Sequence, residues 1–291
     1  MCLIKKSGNM TILKKQSINN EELEVKHLRA ILTHGGAGSN PKDSDGTESA
    51  ALTGMNLMEN GKSALDAVIE SVKFLEDDPR FNAGIGSRLR ADNATIQMDA
   101  SCMSSDGKFG AVACVQGVQN PIDIAKEVLL HSSHIIITGQ GARIFAQERH
   151  LPLKYLNNNS DQADNDKPPS CDTVGAVAFD GKTFAAALSS GGLSGAAIGR
   201  VGDVPLPGCG LFCGPLGAVA CTGDGEFIAL KILAKEVYGW LENNMSPNEA
   251  AQKALDLFDD SVDVGLIILT KNGFAANSKN SMAWSHLIKK N

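Results

Sequence analysis

Read by its apolar and polar positions, the chain alternates between strand-like and helix-like blocks. HLRAILTHGGAGS, from His27 to Ser39, is an apolar run closed by glycines and predicts a strand that ends in a tight turn. The next stretch, GTESAALTGMNLMENGKSALDAVIESVKFLEDD, has helical spacing interrupted at Asn60-Gly61 and predicts two helices. MDASCMSSDGKFGAVACVQG predicts two strands about Ser105-Asp106-Gly107. NPIDIAKEVLLHSS, opened by Asn-Pro, predicts a helix, and HIIITGQGARIFAQERH a short strand followed by another helix. LPLKYLNNNSDQADNDKPPSC then breaks the pattern, with too few apolar groups to offset the entropy of ordering. Strands resume in TVGAVAFD and TFAAALSSGG, and the glycine-rich GRVGDVPLPGCG leads on to GAVACTGDGE. FIALKILAKEVYGWLENN predicts one long helix, SPNEAAQKALDLFDD a further one, and VGLIILTKNGFAANSKN a final strand pair. Strands grouped around hairpins, with helices in separate blocks, predict an α+β fold of antiparallel sheets covered by helices. Gly-Ala-Val-Ala occurs three times at unequal intervals, which marks buried small-residue strands and not a repeat architecture.

Composition narrows the function. With 291 residues and 43% hydrophobic content the chain can bury a large core, and 30 glycines against 5% aromatics point to close backbone packing. A net charge of −6 without a basic stripe argues against a nucleic-acid partner. No window has the length and apolarity of a signal peptide or membrane span, so a cytoplasmic protein without a membrane partner is expected. Seven cysteines sit mostly in apolar segments, where a thiol acts as a small hydrophobe, and disulfides are not expected. Cys209 and Cys213 resemble half of a zinc site, but no second pair has suitable spacing. His131 and His134 read as surface or helix-end residues.

The junction at Asp172-Thr173 is chemically suggestive. A threonine hydroxyl is a poor nucleophile unless a base sits beside it, and the free α-amine of an N-terminal threonine is one such base. That amine titrates near ~7.7–8.0, so no histidine is needed to activate it. Exposing the amine requires cleavage after Asp172, and a polar segment upstream lets the new ends separate. Taken alone, Thr173 reads first as the opening residue of an ordinary strand, where threonine is common.

Seven motifs in one order decide more: THGGAGS, FNAGIGS, MDAS, DTVGAVAFD, SSGGL, GRVGD and TGDGE. By these the chain, from about Ala30 onward, resembles the plant-type asparaginases and isoaspartyl (β-aspartyl) peptidases, a family of threonine-type Ntn-hydrolases. The resemblance implies a four-layer αββα sandwich and a precursor that cuts itself into an α subunit ending at Asp172 and a β subunit beginning at Thr173. It also implies a dimer of αβ heterodimers and a small-molecule substrate, asparagine or a β-aspartyl dipeptide. Within this resemblance Thr173 is nucleophile and base, and Ser190, Thr222 and Asn82 complete the catalytic set. Arg200 and Asp203 bind the substrate's α-carboxylate and α-ammonium, with Gly223 and Gly225 as further substrate contacts. His34, Gly35 and Gly36 flank the scissile bond between Asp172 and Thr173. No cofactor is implied for the chemistry. A structural sodium ion is implied on main-chain carbonyls of Leu75, Glu76, Asp78, Phe81, Ala83 and Ile85, an oxygen set suited to a hard cation. The domain reading that follows is a loose extension over residues 1–29, then one Ntn-hydrolase domain over 30–291 with a flexible linker at about 152–172.

Three departures qualify the match. Ser190 stands where the family usually has threonine, Asp172 stands where these asparaginases usually have glycine, and LSGAAIGR lacks the usual Asn-Lys and Pro before the arginine. Asp-Thr and Ser-Ser-Gly-Gly-Leu also resemble threonine aspartase, an endoprotease that cuts after aspartate. Glycosylasparaginase shares the Asp-Thr pair but not the His-Gly-Gly-Ala-Gly opening. Asp203 favours the small-substrate hydrolase, because a carboxylate has a cationic partner in a free α-ammonium and none in a peptide nitrogen. A non-catalytic relative that never processes is the contrasting class.

Overall fold

The computed structural model describes residues 10–11, 28–154 and 173–290. In chain order the elements are β1 (Met10–Thr11), β2 (Leu28–Ala37), α1 (Ser44–Glu59), α2 (Ala64–Glu76), β3 (Met98–Ser104), β4 (Phe109–Val115), α3 (Pro121–His131), β5 (Ile136–Thr138) and α4 (Gly139–Glu148). The second half adds β6 (Val174–Phe179), β7 (Phe184–Ser190), β8 (Leu211–Gly214), β9 (Gly217–Gly223), α5 (Gly225–Leu230), α6 (Leu233–Glu242), α7 (Pro247–Leu255), β10 (Val264–Thr270), β11 (Gly273–Ser278) and β12 (Met282–Lys290). The residues of the expected extension and linker at 1–9, 12–27 and 155–172, Asp172 among them, lie outside the described residues.

The strands form two sheets, an eight-stranded one ordered β1-β12-β2-β6-β7-β3-β4-β5 and a four-stranded one ordered β11-β10-β9-β8. Side chains alternate across each strand, so every inner strand serves two cores. In β6, Val174, Ala176 and Ala178 join the helix-covered core with α1 to α4, whereas Val177 and Phe179 join a core shared with the small sheet. In β10, Val264, Leu266 and Ile268 pack with α6 and α7, while Ile267 and Leu269 face the large sheet. Alanine and glycine dominate the central strands because each must fit between a neighbouring sheet and a helix layer. All three Gly-Ala-Val-Ala strings form such strands, in β4, β6 and β9.

Four features differ from the sequence expectation. The β4–β5 pair is parallel, because α3 lies between its strands and carries the chain back across the sheet. The long helix is broken into α5 and α6 at Ile232, whose φ of 49° is left-handed. The break seats the start of α6 on the preceding glycine loop, where Ala234 and Lys235 donate backbone N–H groups to Cys209 and Gly208 carbonyls at 3.1 and 2.8 Å. β8 and β12 were not expected as strands, yet β12 pairs with β2 along nearly its whole length. The described cysteines, Cys102, Cys114, Cys209, Cys213 and Cys221, are all free. No helix among the described residues is long and apolar enough to cross a membrane.

Candidate active site

Alternation along the strands builds the site. Thr173, one residue before β6, Ser190 at the end of β7, Thr222 on β9 and Asp99 on β3 occupy the phase that faces the space between the sheets. Register brings their ends together, with Val174 opposite Ser189, Asp99 opposite Ser190, and Gly223 opposite Val264. Thr173, Ser190 and Asp99 line a cleft of about 360 Å³ together with Asn82, Gly192, Leu193, Arg200, Gly202, Asp203, Val204, Gly223, Asp224, Gly225 and Glu226.

Thr173 is buried, and its hydroxyl donates to Ser190 Oγ at 3.3 Å. Ser190 Oγ also accepts the Gly192 N–H at 3.0 Å, which fixes this second hydroxyl on the turn after β7. Thr222 Oγ1 accepts from Ala37 N at 3.0 Å and from Thr173 N at 3.4 Å, leaving its own hydroxyl proton to donate elsewhere. Asn82 reaches the cleft, but its amide is engaged with the backbone: Nδ2 donates to Gly192 O at 2.8 Å and Oδ1 accepts from Arg88 N at 3.1 Å. His34 pairs with Gly175, which places His34-Gly35-Gly36 alongside the start of β6. Burial pushes the His34 pKa down to about 3, the Thr173 backbone beside it offsetting part of the effect, so the ring is neutral and no acid–base role follows.

Opposite the hydroxyls, Arg200 and Asp203 stand on the loop between β7 and β8. Burial pushes the Asp203 carboxyl up to about 7, against the pull of its own backbone N–H and of Arg200, and its buried Oδ2 has no hydrogen-bond partner. Such an oxygen invites a cationic partner. A Cβ on Gly225 would lie 2.8 Å from Asp203 Oδ1 and 3.0 Å from Arg200 Nη2, so glycine keeps the gap between the two charges open. Asp99 is buried on the floor, accepts the Cys114 N–H at 2.8 Å, and burial raises its pKa to about 6 against the opposing pull of that N–H, Arg90 and Arg200. Arg90 is buried behind Gly192, and its Nη2 donates to Gln97 O at 2.8 Å.

The carbonyl loop runs between the end of α2 and the turn at Gly84–Gly86, with Asn82 as its residue in the cleft. Asp78, Phe81 and Ala83 carbonyls each accept one N–H at 3.0–3.2 Å and retain a second lone pair, whereas the Leu75 carbonyl accepts from both Asp77 and Asp78. A Cβ on Gly84 would collide with the Glu76 carbonyl, so glycine is what lets the loop close on itself. This all-oxygen set fits a hard monovalent cation. No cluster of three or more His, Cys, Asp or Glu side chains suited to a metal occurs among the described residues.

Of the expected site residues, Thr173, Ser190, Asn82, Arg200, Asp203, Gly223 and Gly225 line the cleft, and Thr222 touches Thr173 from behind. Sequence reasoning missed Asp99 and Glu226, although both stand inside quoted motifs, MDAS and TGDGE. Their types alone do not separate a cleft residue from a surface one.

A family model described as asparaginase matches residues 27–163 and 153–291. The isoaspartyl peptidase/L-asparaginase of Rattus norvegicus is 38% identical over 287 residues, covering 88% of this chain and 85% of the rat protein. The plant-type L-asparaginase of Pyrococcus furiosus is 34% identical over 299 residues, covering 90% and 96% of the two chains. The isoaspartyl peptidase/L-asparaginase of Danio rerio is 36% identical over 290 residues, covering 89% and 92%.

Proposed function

Since the chain belongs to the asparaginase family, and is a hydrolase of asparagine and isoaspartyl peptides, we propose that Thr173, freed by self-cleavage after Asp172, is its nucleophile and its base. The observation that carries this reading is that Thr173, in the cleft where Arg200 and Asp203 stand, meets Ser190 through its Oγ1 and Thr222 through its backbone nitrogen. The three cores, helix on sheet, sheet on sheet and sheet on helix, support a four-layer αββα arrangement of the Ntn-hydrolase type.

In the precursor Thr173 Oγ attacks the Asp172 carbonyl, its proton passing to the departing Thr173 nitrogen. The acyl group moves from nitrogen to oxygen, and water hydrolyses the ester. Asp172 leaves as a carboxylate, and Thr173 keeps a free amine. In turnover Oγ attacks the substrate's side-chain carbonyl while the amine takes the hydroxyl proton and passes it to the departing nitrogen. Thr222, held by two accepted bonds, has a hydroxyl proton for the developing oxyanion. Water then resolves the acyl-enzyme and releases aspartate. Arg200 takes the substrate α-carboxylate and Asp203 the α-ammonium. The unpartnered Asp203 oxygen favours this small substrate over a peptide backbone, whose nitrogen carries no charge.

A sodium ion on the Leu75–Ile85 carbonyls would brace the loop that presents Asn82, a structural role only. Pairing into a dimer of αβ heterodimers is proposed from the family resemblance, and a reducing cytoplasmic setting accords with the free buried thiols. The test is a panel of L-asparagine, a β-aspartyl dipeptide and a protein carrying an exposed aspartate loop, each with the wild type and Thr173→Ala. Aspartate should come from the first two with the wild type alone. Cleavage of the protein loop only would move the chain to the endopeptidase class.

A further inference from the structure

Arg200 does not stand free in the cleft. Its Nε donates to Glu226 Oε1 at 2.8 Å and its Nη2 to Glu226 Oε2 at 2.5 Å, a bidentate pair on one edge of the guanidinium. Glu226 is the last residue of TGDGE. We propose that Glu226 is a positioning residue for substrate binding: it clamps the Nε/Nη2 edge of Arg200 so that the Nη1/Nη2 edge is presented to the substrate's α-carboxylate. The inference rests on the assignment of Arg200 as the carboxylate site.

A guanidinium has two edges that can each take a carboxylate through parallel N–H groups. Glu226 occupies the first of these. The second is bordered by two glycines, since a Cβ on Gly202 would lie 3.0 Å from Nη1 and a Cβ on Gly225 3.0 Å from Nη2. Both glycines line the cleft, and the Gly225 position also adjoins Asp203 Oδ1, the intended ammonium site. The remaining N–H groups therefore lie beside the part of the cleft where an α-carboxylate and an α-ammonium must sit together. The Glu226 side chain is 57% exposed and that of Arg200 17%, so the glutamate holds the arginine from the solvent side. An ion pair this exposed adds little to stability, and its value lies in fixing a side chain with many rotamers. Glu226 follows Gly225 directly and sits four residues after Thr222, so one short string carries the oxyanion hydroxyl at one end and the clamp at the other.

The test is steady-state kinetics of mature wild type and Glu226→Gln on L-asparagine, with L-aspartate and β-alanine as competitive inhibitors. Glutamine keeps the size but loses the charge and the second acceptor. We expect KM for asparagine to rise about threefold to tenfold with kcat within about twofold. L-Aspartate should weaken by the same factor. β-Alanine, which has the amine but no α-carboxylate, should keep its inhibition constant. A fall in KM would overturn the proposal, because it would make Glu226 a competitor for the guanidinium. An equal shift for aspartate and β-alanine would also overturn it, since general loosening of the cleft moves both. A wild type that releases no aspartate from asparagine would strike the reading of the site instead. The clamp would then be decided by calorimetric titration of L-aspartate into both forms, and equal affinity would refute it.

Discussion

At Asp203 two opposing effects leave the carboxyl poised near neutrality. Burial raises its pKa to about 7 while Arg200 pulls the other way. Only the ionised form attracts an ammonium group, so KM for asparagine should rise as pH falls below about 7 and level off above it. Asp203→Asn should flatten that limb and lower kcat/KM by about 10- to 100-fold, the worth of one charged hydrogen bond of ~1.5–3 kcal/mol. An unchanged KM–pH profile in the variant would place the titrating group elsewhere. At His34 the sign is reversed for stability: a folded pKa near 3 against an ordinary 6.5 means the unfolded chain binds the proton more readily. This group's contribution to stability is present above about pH 6.5 and is lost as pH falls toward 3. Thr173, Arg200 and Asp203 were legible in the sequence because ordered motifs flank each. Asp99 and Glu226, the carboxylate that pairs with Arg200, were not, because cleft and surface carboxylates look alike until strand phase and register are known.

Helix ends and breaks carry the same lesson one level up. α7 begins with a complete capping box, Ser246 Oγ accepting the Glu249 N–H and the Glu249 side chain accepting the Ser246 N–H. Ser246→Ala should lower unfolding stability by about 1 kcal/mol and leave kcat unchanged, because α7 packs on the small sheet away from the cleft. Denaturant unfolding of the variant checks this, and a loss under about 0.3 kcal/mol would show that the cap is not sustaining the helix. The paired helices α1 and α2 follow from local periodicity and the Asn60-Gly61 turn. The break at Ile232 has no local signal: isoleucine disfavours a left-handed φ, and the backbone bonds of Ala234 and Lys235 to a loop distant in sequence impose it. β12 was hidden for a related reason, since its pairing with β2 joins opposite ends of the chain.

For the whole molecule, the order of the large sheet decides what a cut after Asp172 can do. β1, β2, β3, β4 and β5 precede the junction, whereas β6, β7 and β12 follow it, and the sheet order interleaves them. β6 pairs with β2, β7 with β3 and β12 with β2. With the short β1–β12 pair, two pieces cut there would be held by four strand pairings and by shared cores, so that cleavage would free a terminus without releasing a fragment. Native size-exclusion chromatography should show both pieces in one peak that separates only in denaturant, and a lone β fragment under native conditions would contradict this packing. The most direct measurement is intact mass and N-terminal sequencing of the purified wild type beside Thr173→Ala. The account predicts two pieces for the wild type, one beginning Thr-Val-Gly-Ala, and a single uncut chain for the variant. An intact wild-type chain that hydrolyses asparagine, or a variant cut at the same bond, would contradict it.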